Sequence, residues 1–122
     1  MSRITRYQGA VIRRDHILLI KHREHASGCE YWVIPGGGRE EGESERDCVQ
    51  REIEEETNLR VAVKRLLLDQ PGPPDAGYQR YKTYLCLPMQ GEASPGREPE
   101  PEAAQVYEIT AVRWFDLRDE TT

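Results

Sequence analysis

From Ser44 to Thr57 the chain contains no glycine or proline and six acidic residues, so conformation and charge are constrained together over one short stretch. Ser44 with Asp47 three residues on reads as an N-cap followed by an acidic first turn, which suits the positive end of a helix dipole. The helix is expected from Ser44 to Thr57. Asn58 marks its end, because after glycine asparagine best tolerates the left-handed conformation of a helix terminus. At about 100° per residue, Val49 and Ile53 face one way, while Glu52, Glu55 and Glu56 share an arc of about 100° beside them. Carboxylates bordering a core are destabilising unless something positive meets them. From Glu43 through Glu56 seven acids face only two bases, Arg46 and Arg51, and the rest of the chain is balanced at fifteen of each. The net charge of −5 therefore sits in this segment. An oxygen-rich site of this kind suits Mg²⁺, Mn²⁺ or Ca²⁺ rather than zinc.

Taken alone, an acidic run is a solvated helix face, and Gly36-Gly37-Gly38 after Pro35 is an ordinary turn. Their spacing joins them. Five residues separate Gly37 from Glu43 and seven separate Glu43 from Arg51, after which the chain reads Arg51-Glu52-Ile53-Glu54-Glu55-Glu56-Thr57-Asn58-Leu59. Small residues then stand where a phosphate and its cations must approach the backbone. This pattern resembles the Nudix box, a glycine, five residues, a glutamate, seven residues, then Arg-Glu-apolar-x-Glu-Glu-x-Gly-apolar. Only the final glycine departs, replaced by Asn58. The lead-in Tyr31-Trp32-Val33-Ile34-Pro35-Gly36-Gly37 is also similar to the family's.

The resemblance implies an α/β fold, a Nudix-type α/β/α sandwich with a central mixed sheet. It implies Mg²⁺- or Mn²⁺-dependent hydrolysis of a phosphoanhydride bond in a nucleoside diphosphate linked to another moiety. By the same resemblance Glu52, Glu55 and Glu56 are the metal ligands, with the carbonyl of Gly36 beside them, and Arg51 orients a carboxylate, with Glu43 as its partner. The general base is a box glutamate, Glu55 or Glu52, or Glu108, six residues before Trp114 where relatives often carry a glutamate. The competing reading of Glu108 is a solvent-facing charge at a strand edge. The alternative function is a non-catalytic nucleotide-binding sensor on the same fold, which is expected to lose box carboxylates; this chain keeps them all.

At 122 residues the chain reads as one domain, 1–122, able to bury a core without staples. Cys29, Cys48 and Cys86 contain no Cys-x-x-Cys pair, which argues against a disulfide framework or zinc ribbon. The start of the chain lacks the apolar core of a signal peptide, and the longest aliphatic run is Ile17-Leu18-Leu19-Ile20, so a cytoplasmic protein without a membrane partner is expected. Acidity speaks against long nucleic acid as partner, and the family resemblance implies a small nucleotide derivative instead. Strands are expected around Ala10–Ile12 and Ile17–Ile20 as a hairpin, then Trp32–Ile34, Leu59–Leu68, Tyr78–Leu87 and Thr110–Phe115. Gln90 to Glu102 has the composition of a mobile loop. His22, Arg23 and His25 read as surface or as phosphate contacts from a loop, surface being favoured. Tyr78, Tyr81 and Tyr84 cannot share one strand face, so one of them can stack on a base while the others pack. Arg80 and Lys82 read as a polar face or a phosphate grip. The chain stops soon after Trp114-Phe115, where the family usually adds a helix. Either the tail forms a short last helix or a second subunit, as in a homodimer, covers that face of the sheet.

Overall fold

Ser44 is extended at ψ 163° and accepts the Asp47 N–H on its hydroxyl at 3.1 Å, and from there helix α1 runs Glu45–Thr57. Asn58 closes it in the left-handed region at φ 59°, its N–H returning to the Glu54 carbonyl at 2.9 Å. These bounds are the expected ones. The computed structural model describes residues 4–74, 77–96 and 107–118, and α1 is the one helix among them.

The strands are β1 (Thr5–Arg13), β2 (His16–Glu24), β3 (Glu30–Val33), β4 (Gly36–Gly37), β5 (Arg60–Pro71), β6 (Arg80–Gln90) and β7 (Tyr107–Asp116). β1 and β2 form the expected hairpin. Its two-residue turn puts Arg14 and Asp15 at φ 47° and 65°, the positive values a tight hairpin needs. The main sheet runs β3-β2-β1-β6-β5, with β4 added on β1 and β7 on β2. β1 lies parallel to β6 from Thr5 opposite Arg80 to Val11 opposite Cys86, while the other pairings are antiparallel. The sheet is therefore mixed, as expected. β4 was not foreseen, because glycines after a proline read as a turn.

The apolar stripe of α1 explains its seat. Cys48, Val49 and Ile53 are fully buried against Val11, Leu18, Val61, Tyr84 and Cys86. Gly9 lies directly beneath: a Cβ there would stand 2.3 Å from Ile53 Cδ1 and 3.1 Å from Val49 Cγ1, so a larger residue would make Ile53 shift or the helix move away. Burial pushes the Cys86 thiol up to about 12, which leaves it an inert core group. The opposite face carries Ile12, Ile17 and Phe115, which are register neighbours, and Trp32 edge-on to Phe115 at 4.8 Å. At the chain's end Leu117 donates its N–H to the Asp15 carbonyl at 2.8 Å, and the last four residues lie outside the described ones. No described helix is long and apolar enough to cross a membrane.

Part of the Gln90–Glu102 segment corrects the expectation of mobility. Ser94 donates its N–H to the Thr57 carbonyl and Gly96 to the Glu56 carbonyl, both at 2.8 Å, so this piece supplies donors to the otherwise unsatisfied end of α1. Residues 97–102 lie outside the described ones.

His22 is neither on a loop nor at the surface. It points inward from β2 and is only 7% exposed. Its ring stacks on Tyr107 at 5.4 Å and 24° and meets Tyr31 edge-on at 5.9 Å. Burial first, and then the charge of Arg6, lower its pKa to about 4. An unfolded histidine takes up its proton near pH 6.5. Between those values the unfolded chain holds the extra proton, so this contribution to stability is complete above pH 6.5 and is lost as pH falls toward 4. The sum is about 3 kcal/mol. Urea midpoints measured from pH 7 to pH 4 should therefore fall more steeply for the parent chain than for His22→Phe; parallel curves would contradict a buried neutral imidazole.

Candidate active site

Arg51 is the hub. Its Nε donates to Glu43 Oε2 at 2.7 Å and its Nη2 to Glu43 Oε1 at 2.9 Å, a two-pronged pair with the carboxylate eight residues earlier. Nη1 then donates to Glu52 Oε1 at 3.0 Å and to Glu55 Oε2 at 3.1 Å, and Nη2 reaches the Gly38 carbonyl at 3.3 Å. One guanidinium thus ties the turn after Gly37, the residue just before the helix cap, and two carboxylates of α1. Arg51 holds the Glu43 carboxyl below the usual range, and Glu43 in turn holds the guanidinium firmly charged. Glu55, about one third exposed, is shifted the other way because burial outweighs its contact with Arg51.

Glu52 and Glu56 are fully buried. This follows from their place beside the Val49–Ile53 stripe. Glu56 accepts the Gly36 N–H on Oε1 at 2.8 Å, so β4 meets the helix through its amide. Gly37 lies over Glu52: a Cβ there would stand 2.7 Å from all three carboxyl atoms, and one on Gly36 would stand 2.4 Å from the Tyr7 carbonyl oxygen. The glycines are therefore required by close approach, not by a turn conformation. The donors gathered here are carboxylate and backbone oxygens, the set that hard divalent cations take. Among the described residues no three His, Cys, Asp or Glu side chains form a finished cation cage, and Arg51 bridges two of the three carboxylates in question.

The remaining candidates are dispersed. Glu108 is exposed on β7 and lies in register with Arg23. Register partners share a face, so Glu108 is on the side of the sheet opposite His22, Ile20 and Leu18. Lys82 is not a phosphate grip: its Nζ pairs with Glu45 at 3.1 Å, and Arg80 pairs with Asp69. Tyr84 packs in the core and donates its hydroxyl to Glu45 at 2.5 Å, so two β6 side chains anchor the first turn of α1. Nothing in the sequence placed Glu45 opposite β6, since that pairing spans 39 residues. The departure at Asn58 has a use beyond its backbone: Nδ2 donates to Ser94 Oγ at 2.9 Å and to the Pro95 carbonyl at 3.2 Å, contacts a glycine lacks.

A model of the NUDIX domain matches residues 4–121. Over 105 residues the chain is 45% identical to the NAD-capped RNA hydrolase NudC of Photobacterium profundum, covering 84% of this chain and 38% of that protein. The chain thus spans well under half the length of that relative. Among solved structures, an ADP-ribose pyrophosphatase from Streptococcus suis 89-1591 is 25% identical with a TM-score of 0.69, over 94% of this chain and 75% of that one. A MutT Nudix hydrolase from Burkholderia pseudomallei is 31% identical with a TM-score of 0.63, over 98% and 87%. The box spacing, the mixed sheet, the Arg51 network and these likenesses agree: the chain belongs to the Nudix family.

Proposed function

We propose that this chain hydrolyses a phosphoanhydride bond in a small nucleoside diphosphate linked to another moiety, with Mg²⁺ or Mn²⁺ as cofactor. The observation that carries the reading is the pair of fully buried carboxylates, Glu52 and Glu56, packed against a Cβ-free turn beside a third, Glu55. Two buried carboxylates lower stability unless their charge is used. Glu52, Glu55 and Glu56, with the Gly36 carbonyl, would hold the cation. When bound it supplies positive charge to the phosphate oxygens and makes water more acidic.

The chain's own residues do the rest. Gly36 and Gly37, lacking Cβ atoms, let β4 lie directly against the Tyr7 carbonyl and the Glu52 carboxylate, which keeps Glu52 close to the backbone. Arg51 fixes Glu52 and Glu55 from one side and is itself fixed by Glu43, so it positions carboxylates rather than substrate. Glu55 is the box carboxylate that solvent reaches, which favours it over the buried pair for taking the proton from the attacking water. Glu108 is the outside candidate; its register with Arg23 favours a surface role.

The substrate class draws support from the relatives. The Photobacterium profundum protein is named for NAD-capped RNA and the Streptococcus suis protein for ADP-ribose. Both names point to a diphosphate joining a nucleoside to a second group. The acidic charge of this chain favours the free nucleotide over the RNA. The fully retained carboxylate set favours an enzyme over a sensor.

Screening NAD, ADP-ribose and other nucleotide derivatives for phosphatase-releasable phosphate should reveal turnover that needs Mg²⁺ or Mn²⁺. Glu56→Gln should lower kcat by about a thousandfold on the best substrate while the circular dichroism spectrum stays unchanged, since charge stabilisation by a metal is worth several kcal/mol; near-normal turnover would remove Glu56 from the site. For the base, Glu55→Gln should lower kcat by roughly 10²- to 10⁴-fold, whereas Glu108→Gln should leave it within about twofold and cost less than about half a kcal/mol in stability. The reverse order in paired kinetic runs would transfer the proton to Glu108.

A further inference from the structure

Helix α1 ends where β5 begins, and Arg60 at the start of β5 lies in register with Gln90 at the end of β6. The chain leaving β6 therefore starts beside the last turn of the helix. Gly91 reverses it at φ 95°, Ala93 packs on the core, and residues 91–96 cross the helix end as a strap. Ser94 gives its N–H to the Thr57 carbonyl and Gly96 to the Glu56 carbonyl. Gly96 also lies against the preceding peptide: a Cβ there would stand 1.9 Å from the Glu55 carbonyl oxygen and 2.7 Å from the Glu56 carbonyl carbon. Asn58 ties the strap down, donating from Nδ2 to Ser94 Oγ and to the Pro95 carbonyl.

Resting on the cation reading above, we propose that this strap holds Glu55 and Glu56 in place for the metal, with Asn58 and Gly96 as positioning residues, and that cation binding and strap docking strengthen each other. A helix leaves the carbonyls of its last turn without partners of its own. In α1 the N–H of Asn58 makes the final bond of the series, to Glu54, so the carbonyls of Glu55, Glu56 and Thr57 lie beyond it. Two of the three carboxylates proposed for the cation thus stand on the turn that the helix itself secures least. The strap secures it instead. Glu56 is held at both ends, its side chain accepting the Gly36 N–H and its carbonyl the Gly96 N–H. A shift of this turn would carry the Glu56 carboxylate away from β4 and Glu55 away from Arg51. Oriented ligands favour the cation and a bound cation fixes its ligands, so each event promotes the other to the same extent. The left-handed helix end does not by itself call for asparagine, because glycine adopts it more easily. What asparagine adds is the tie to the strap.

Asn58→Gly separates the two roles, since it keeps the left-handed end and removes the tie. Without metal it should melt no lower than the parent, yet bind Mn²⁺, followed by electron paramagnetic resonance, about tenfold more weakly, the usual cost of losing a group that orients a ligand. Gly96→Ala, whose methyl meets backbone atoms, should also weaken Mn²⁺ binding. In the parent, saturating Mg²⁺ should slow amide hydrogen exchange at Ser94 and Gly96 by about fivefold or more, read by NMR. A residue that only caps the helix predicts unchanged affinity in Asn58→Gly. That result overturns the strap's role, as does a metal-free melting temperature that falls along with the affinity, a Gly96→Ala chain that binds like the parent, or exchange at Ser94 and Gly96 indifferent to Mg²⁺. Each of these leaves the cation site standing, whereas a parent that takes up no Mn²⁺ overturns both. Where Gly96→Ala fails to fold, Asn58→Gly and the exchange measurement on the parent still decide.

Discussion

The arrangement of the site depends on Arg51. Its guanidinium meets Glu43 with two nitrogens, Glu52 and Glu55 with the third, and the Gly38 carbonyl besides. Lysine could not do this. A compact ammonium has three donors and no planar fork, so the two-pronged grip on Glu43 and the reach to two helix carboxylates need arginine. The grip matters because the segment from Glu43 to Glu56 carries seven acids and only one base besides Arg51. The other, Arg46, is spent on the Val63 carbonyl at 2.8 Å. Without Arg51, the carboxylates of Glu43, Glu52 and Glu55 would face one another with no positive charge between them.

Packing then decides which carboxylates are buried. Val49 and Ile53 must face the core above Gly9, and helical periodicity carries Glu52 and Glu56 inward with them. The helix cannot turn to expose these two without exposing its apolar stripe. Stability and site geometry are thus coupled through one rotation angle, and the ends of the helix hold that angle. Ser44 caps the start, Tyr84 and Lys82 fasten Glu45, and Asn58 with Ser94 and Gly96 closes the finish.

What was legible in the sequence was local. The helix bounds follow from a cap, an uninterrupted run and an αL asparagine, all read within fifteen residues. The β1–β2 hairpin follows from two aliphatic runs around a polar turn. The Arg51–Glu43 pair came from the box resemblance, and the geometry bears it out. What stayed hidden depends on contacts distant in sequence. β4 exists only because Tyr7 and Gln8 lie opposite Gly37 and Gly36. Lys82 and Tyr84 looked like free surface or stacking groups until β6 was brought against α1. The 91–96 piece looked mobile because composition reports no acceptor, and its acceptors are the last carbonyls of the helix. His22 looked like surface because histidine usually is; its burial comes from Tyr31 and Tyr107 on two other strands.

We propose that Glu52, Glu55 and Glu56 are held together for a divalent cation. Electron paramagnetic resonance of free Mn²⁺ tests it without substrate or turnover. Titrating the parent chain should remove the six-line signal of hydrated Mn²⁺ in a saturable way, and Mg²⁺ should restore it by competition. Glu56→Gln should bind at least about tenfold more weakly, as expected for losing a charged ligand. A six-line signal that grows in proportion to added Mn²⁺ from the first aliquot, in the parent as in the variant, would contradict the account.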